Sequence, residues 1–328
     1  MQIKTRLTYA YGLRTPIVQA GMAFVGMTPD LAVAVGDAGA MGSLGVGLMP
    51  PPAVTATIAA IRAGTDGPFH VNLITPFATD AQIDVLCTAA VPAASFHWGH
   101  PPRGWIDRLH EAGVRVFEQV GSVEDARRAA GDGVDVVVAQ GLEAGGHNFA
   151  TLPTFALVPL VVDVVGPALV LAAGGIADGR GLAAALMLGA DGVWLGTRLV
   201  ATDESAAHEG YKDRLVAARA EETVRTSLFG PETPDFNPMR VLRNRVVAEH
   251  PDGGGERPVI GHTVLGGEEI DLLRYTNLVP MRGVTTGDLE EMPLLAGQGV
   301  GLVDAVKSAA TVIADMTAQA AALLTRHA

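Results

Sequence analysis

One imidazole stands directly after a glycine pair in QGLEAGGHNF, Gln140 to Phe149, and those are the residue types of a proton-transfer site. The preceding run VDVVVAQ, 134–140, is β-branched and bounded by Gly133 and Gly141, as a strand buried on both faces of a parallel sheet is. The following segment is therefore a strand-end loop. Gly145 and Gly146 lack a Cβ, so the backbone there can turn sharply and admit a flat ligand. His147 would then project over that ligand. The alternative is a plain turn with a locally satisfied histidine, and the ten residues alone leave it open.

Two further loops offer anion donors. AAGGIADGRG presents Gly174 and Gly175 before a helix beginning near Asp178, whose positive end would point at the site. LGTR adds Gly196, the hydroxyl of Thr197 and the charge of Arg198. Two glycine-bearing loops suit one phosphate, and one phosphate in an apolar mouth suits a mononucleotide better than a dinucleotide. FMN is the cofactor expected. A flavin ring needs backbone and amide groups at its pyrimidine edge and apolar cover on its face. Ala20, Gly21 and Met22 allow close backbone approach, while Asn72 and Gln140 supply amides. Each has a packing explanation alone; their convergence on strand ends is what carries weight. His97, in SFHWG, is placed to line the opposite wall.

The elements that must position these residues are short apolar runs alternating with helical segments. The runs are PIVQA (16–20), AMGSLGV (40–46), FHVNL (69–73), PAASFHW (92–98), VRVFEQ (114–119), VDVVVAQ (134–140), ALVLAA (168–173) and DGVWLG (191–196). Eight β/α units predict a closed TIM barrel, an α/β fold whose chemistry sits at the C-terminal ends of its strands, with phosphate bound after strands seven and eight. An open, doubly wound sheet is the alternative, but no GxGxxG follows the first strand. The expected division is a cofactor-binding (β/α)8 barrel over 1–205, a smaller, largely helical substrate-side subdomain over 206–284, and a C-terminal segment over 285–328 whose helix packs back on the barrel.

Composition narrows the function classes. A chain of 328 residues with net charge −12 has no basic patch for nucleic acid or an anionic membrane. The apolar stretch 157–173 is broken by Pro159, Asp163 and Pro167 before it could span a bilayer, and the N-terminus lacks a signal-peptide pattern. Cys87 is the single cysteine, which excludes an intrachain disulfide and suits a reducing cytoplasm. The nine histidines show no ligand spacing such as HExxH, so no metal is expected. The partners expected are a small-molecule substrate and O2, and a homodimer is compatible with the chain.

PIVQAGM, VNL, SFHWG, QGLEAGGH, AAGGIADGRG, LGADGVWLGTR and AGQGVGL (296–302) closely resemble the nitronate monooxygenases, FMN-dependent TIM-barrel enzymes formerly called 2-nitropropane dioxygenases. The resemblance spans most of the chain. It implies that His147 deprotonates a nitroalkane or binds its nitronate, and that oxygen completes conversion to a carbonyl compound and nitrite. It implies FMN contacts for Met22, Asn72, Gln140, Gly145, Gly146, Gly174, Gly175, Gly196 and Thr197, and it alone brings in Gln298. Phe149 stands where the family usually has glycine and is expected to narrow the substrate pocket or reshape the loop. FMN- and NAD(P)H-dependent enoyl-ACP reductases share the EAGGH and AAGGIADG blocks, so an enoyl-thioester reductase is the second reading. A non-redox phosphate-ligand barrel is the third.

Overall fold

The computed structural model describes residues 3–326. In chain order its first strands are β1 (Ile17–Gln19), β2 (Gly42–Gly45), β3 (Phe69–Ile74), β4 (Ala93–His97), β5 (Arg115–Val120), β6 (Val136–Gln140), β7 (Gly146–His147), β8 (Leu169–Ala173) and β9 (Gly192–Leu195). All but β7 pair in parallel, in the order β1-β9-β8-β6-β5-β4-β3-β2. Backbone bonds from Gln19 N to Met41 O (2.9 Å) and from Met41 N to Ile17 O (3.0 Å) join the two edges and close the barrel. The eight apolar runs are thus the eight staves of a (β/α)8 barrel.

Alternation along each stave explains its composition. Phe117, Val136, Val138, Leu171 and Trp194 point inward and fill the barrel, whereas Val137, Ala139, Val170 and Val193 point outward under the helices. Both faces are dry, so both want apolar side chains. The helix Arg6–Tyr11 caps the bottom, with Leu7 fully buried and the Tyr11 ring 5.5 Å from that of Phe117. At the other end of the chain, helix Ala309–Arg326 packs on helix Gly179–Met187. Gly179 is needed there: a Cβ on it would lie 2.5 Å from Met316 O, and its N–H donates to Gln319 Oε1 at 2.7 Å. No helix among the described residues is long and apolar enough to cross a membrane.

The region 206–284 departs from the expected helical character. It holds one full helix, Glu209–Ala217, a short one, Arg245–Glu249, and the 3-10 turns Ala220–Glu222 and Pro234–Phe236, but also the strands β10 (Thr223–Thr226), β11 (Met239–Leu242), β12 (Val259–Leu265) and β13 (Glu268–Leu273), with β14 (Thr285–Gly287) just beyond it. β12 and β13 form a hairpin across Gly266 and Gly267, both at positive φ, and β14 adds to its edge. The interleaved charges that suggest helix, as in EEIDLLR, belong to a hairpin strand that is exposed at every position from Glu268 to Leu273 except Leu272. β10 and β11 extend onto β7, with Met239 opposite His147 and Arg240 opposite Gly146. A segment that reads as a free loop is therefore pinned as a strand by residues almost a hundred positions away.

Inside the barrel a polar chain lies beneath the mouth. Asn72 Nδ2 donates to Ser95 Oγ (2.8 Å), the Ser95 hydroxyl to His70 Nδ1 (2.9 Å), and His70 Nε2–H to Gln19 O (2.8 Å), with Trp194 stacked on the imidazole at 4.6 Å. Both ring nitrogens of a neutral His70 are thereby satisfied. Burial lowers its pKa to about 4, against a slight opposing effect of the Gln19 carbonyl. The unfolded chain takes up this proton near pH 6.5 and the folded chain does not. Stability from His70 is therefore complete above pH 6.5 and is lost as pH falls toward 4, by about 3 kcal/mol. Denaturant melts at pH 7 and pH 4.5 should show a loss that His70→Asn reduces; an unchanged difference would mean other groups dominate.

Candidate active site

The C-terminal ends of the staves surround a cavity of about 310 Å³, the size and position expected of a ligand site in this fold. Ala20, Gly21 and Met22 enter it after β1, Asn72 from β3, His97 from the end of β4 and Gln140 from the end of β6. Gly145, Gly146 and His147 follow, then Gly174 and Gly175 after β8 and Gly196 and Thr197 after β9. Thirteen sequence-selected positions thus share one cavity. Two do not line it. Gln298 turns its side chain to solvent while its N–H donates to Glu143 O at 2.9 Å, and its neighbours Gly297 and Gly299 face the cavity instead. Phe149 sits behind the wall, 5.1 Å from the Trp98 ring, in space that exists because residue 121 is glycine: a Cβ there would meet the Phe149 ring at 2.8 Å. The departure from a family glycine is absorbed by packing outside the pocket.

His147 is held from both sides. Asn148, fully buried, donates through Nδ2 to Gly141 O (3.0 Å) and Ala144 O (3.1 Å) and accepts from Ala150 N (2.9 Å), while its own N–H donates to Pro238 O (2.9 Å). That staple fixes the loop. Gln140 Nε2 donates to His147 O at 3.2 Å. Gln140 Oε1 and His147 Nε2 are then left buried with no partner among the described residues. Buried polar atoms are rarely orphaned, and two beside one cavity mark where a ligand completes the bonding.

The imidazole is half-buried, its open side on the cavity, and Phe236 stacks on it with ring centroids 3.6 Å apart. Trp98 meets both rings edge-on, and its indole N–H donates to Asp235 O at 2.9 Å, tying the β4 loop to the segment that carries Phe236. Burial, with a smaller contribution from His97, lowers the His147 pKa to about 3. His97 is lowered to about 4 by burial. Gln119 Nε2 donates to His97 Nδ1 at 2.5 Å, which leaves the His97 proton on Nε2. At neutral pH the site therefore holds two uncharged imidazoles. Gln119, Trp98 and Phe236 escape the sequence reading. Gln119 ends the fifth stave and was findable by the same strand-end rule; Phe236 had no local signal.

The glycine end is built from backbone. Gly174 and Gly175 have φ of 110° and 71°. Thr154 Oγ1 lies within bonding distance of Ala173 O and Gly174 O, and Glu143 Oε2 accepts from Thr154 N–H at 2.8 Å. Thr197 Oγ1 accepts from Gly297 N at 2.9 Å, joining the β9 loop to the late segment. Two expectations are corrected here. Arg198 turns away and donates to Ala201 O (2.7 Å) and Ala305 O (2.9 Å), so it brings no charge to the cavity. The helix Gly179–Met187 is capped by Asp178, which accepts from Arg180 N and Gly181 N, so its first N–H groups are already satisfied. Neither the Arg198 guanidinium nor the first N–H groups of that helix are free for a ligand here.

A barrel of this kind, with glycine loops after its last two staves, amides at strand ends and a neutral histidine at the mouth, defines an FMN-dependent oxidoreductase. The family model described as nitronate monooxygenase matches residues 4–83 and 75–319, and the chain belongs to that family. A structure of FabK from Thermotoga maritima is similar at 34% identity and TM-score 0.81, covering 99% of this chain and 98% of that one. A nitroalkane oxidase from Streptomyces ansochromogenes is similar at 29% identity and TM-score 0.80, over 98% and 99%. A Mycobacterium tuberculosis protein named (3aS,4S,5R,7aS)-5-hydroxy-7a-methyl-1-oxo-octahydro-1H-indene-4-carboxyl-CoA dehydrogenase is 34% identical over 94% of this chain and 93% of its own length.

Proposed function

We propose that the protein oxidises alkyl nitronates, and more slowly their parent nitroalkanes, to carbonyl compound and nitrite, with FMN as cofactor and O2 as co-substrate. The observation that carries this reading is His147: a neutral imidazole on the cavity, its Nε2 without a partner, beside the equally unpartnered Gln140 Oε1. The lining fits FMN. Gly174, Gly175, Gly196 and Thr197 would hold its phosphate through backbone N–H groups and a hydroxyl. Ala20, Gly21, Met22, Asn72, Gln140, Gly145 and Gly146 would hold its ring, Gln140 Oε1 being an acceptor for a ring N–H. When bound, FMN supplies one-electron oxidation of the nitronate.

This chain's residues do the remainder. His147 takes the α-proton of a neutral nitroalkane and, towards a preformed nitronate, acts only in binding. Gln119 holds His97 so that its Nε2–H remains a donor. Phe236 and Trp98 keep water from the imidazole. The barrel, 1–205, is read as the cofactor unit and 206–284 as the substrate side. Cytoplasmic location and a homodimer belong to the same reading.

Similarity to FabK and to a protein named as a carboxyl-CoA dehydrogenase favours a second reading, reduction of an enoyl thioester. One anaerobic titration of the FMN-loaded protein separates them. Nitronate should bleach the flavin, and air should restore it with release of nitrite. Bleaching by NADPH, with reoxidation by an enoyl thioester and no response to nitronate, would replace the first reading by the second.

A further inference from the structure

We infer that Thr233 and Asn277 form a second polar station in the cavity, and that it holds a neutral amide carried by the substrate beyond its reacting group. This rests on the nitronate reading only for the choice of reacting group. Both residues line the cavity from the 206–284 region. Among the described residues the Asn277 side-chain amide has no hydrogen-bond partner. Thr233 stands at the cap position of the 3-10 turn Pro234–Phe236, yet its hydroxyl caps nothing and makes one long bond, to Gly230 O at 3.4 Å. A hydroxyl that donates there keeps its lone pairs for a ligand.

The two groups face one gap, over Gly230. A Cβ at that residue would lie 3.2 Å from Asn277 Nδ2 and 3.3 Å from Thr233 Oγ1, so glycine keeps the gap open, as its φ of 74° also favours. The walls are fixed without either side chain. Gly230 N–H donates to Tyr275 O (2.7 Å), Thr233 N–H to Gly230 O (2.9 Å), Phe236 N–H to Thr233 O (2.9 Å) and Asn237 Nδ2 to Phe229 O (2.9 Å). The polar atoms are thus spare, yet held in place. The turn that begins after Thr233 carries Phe236, whose ring stacks on His147, so the station belongs to the same wall as the cover of the imidazole. An amide matches what is offered. Asn277 presents a donor and an acceptor whichever way its oxygen and nitrogen are assigned, and Thr233 presents an acceptor. The substrate C=O accepts from the Asn277 amide while its N–H donates to Thr233 Oγ1. An ester has no N–H to give and a hydrocarbon neither gives nor accepts, so each leaves a half-buried polar atom bare.

Two measurements on the FMN-loaded protein test this. The first compares kcat/KM for the nitronates of 4-nitrobutanamide, 5-nitropentanamide and 6-nitrohexanamide with those of the nitroalkanes in which an isopropyl group replaces the carboxamide. At the best chain length the amide should exceed its isopropyl counterpart at least ~10-fold. Asn277→Leu, which keeps the shape and removes both polar atoms, should bring that ratio to within about threefold of one, and Thr233→Val, which removes the acceptor alone, should lower it about threefold. The second measurement needs no turnover: hexanamide is titrated against the absorbance of the bound flavin, and it should bind at least ~10-fold more weakly to Asn277→Leu than to the unaltered protein. A ratio near one at every chain length in the unaltered protein would overturn the inference, as would hexanamide that fails to bind or binds both proteins equally. Loss of flavin from Asn277→Leu with an unchanged melting curve would overturn it too, by assigning the residue to the cofactor. If no nitronate reacts yet hexanamide binding depends on Asn277, the nitronate reading fails and the amide station stands.

Discussion

Replacing His147 with alanine or asparagine should lower kcat/KM for a neutral nitroalkane by about 10²–10⁴-fold, the usual worth of a positioned base, and for the preformed nitronate by less than about tenfold. Only the nitroalkane must lose a proton from carbon, so only it needs the base. The flavin should stay bound, because His147 faces the open cavity and the loop is fixed by Asn148 and Gln140, not by the imidazole. The pKa of about 3 adds two expectations for the unaltered enzyme. A base that holds its proton so weakly gains little from taking one, so nitronate should react faster than nitroalkane. The group stays uncharged from pH 9 down to about pH 4, so kcat/KM should show no acid-limb inflection near pH 6.5. Equal losses on both substrates in the variant would mean that His147 only binds.

Gly145→Ala should cost the protein most of its flavin. The backbone at Gly145 is not in the left-handed region, so the demand is for space: a Cβ would lie 2.4 Å from Gly297 N and 2.6 Å from the carbonyl carbon of Ala296. Those are backbone atoms and cannot rotate aside. The late segment must move, and it carries two lining glycines and the Gly297 N–H that holds Thr197. Overpacking of this kind costs about 1–3 kcal/mol, and displacing the segment should weaken FMN at least ~10-fold, a multiple expected from about 1.4 kcal/mol of lost binding. Gly146→Ala is the contrast. Its φ of 75° strains any side chain, but the nearest atom to a Cβ is Leu295 Cδ1 at 3.7 Å, so stability should fall with less loss of flavin. Melting curves and flavin retained after gel filtration report both quantities; unchanged retention in Gly145→Ala would show that the late segment is not part of the cradle.

The site was legible in proportion to how locally it was made. Gly174, Gly175, Gly196 and Thr197 are found by rule because each directly follows a stave, and a barrel brings all strand ends to one face. Gln119, on the fifth stave, obeys the same rule. Phe236 obeyed none, since it arrives from a region whose short strands look helical by charge pattern. Phe149 misled for a related reason: two residues from His147, it belongs in the sequence to the pocket, but the staple made by Asn148 turns the chain and sends it behind the wall against Gly121.

The sequence by itself determined the staves, their order and the cluster of glycines and amides at their ends, because apolar alternation and the freedom of glycine act within a few residues. Tertiary structure alone decided the state of His147. β11 pairs with its strand, Phe236 stacks on its ring and Trp98 closes its edge, and together they remove the water that would charge it. Desolvation depends on everything that surrounds a group, and here most of that comes from distant parts of the chain.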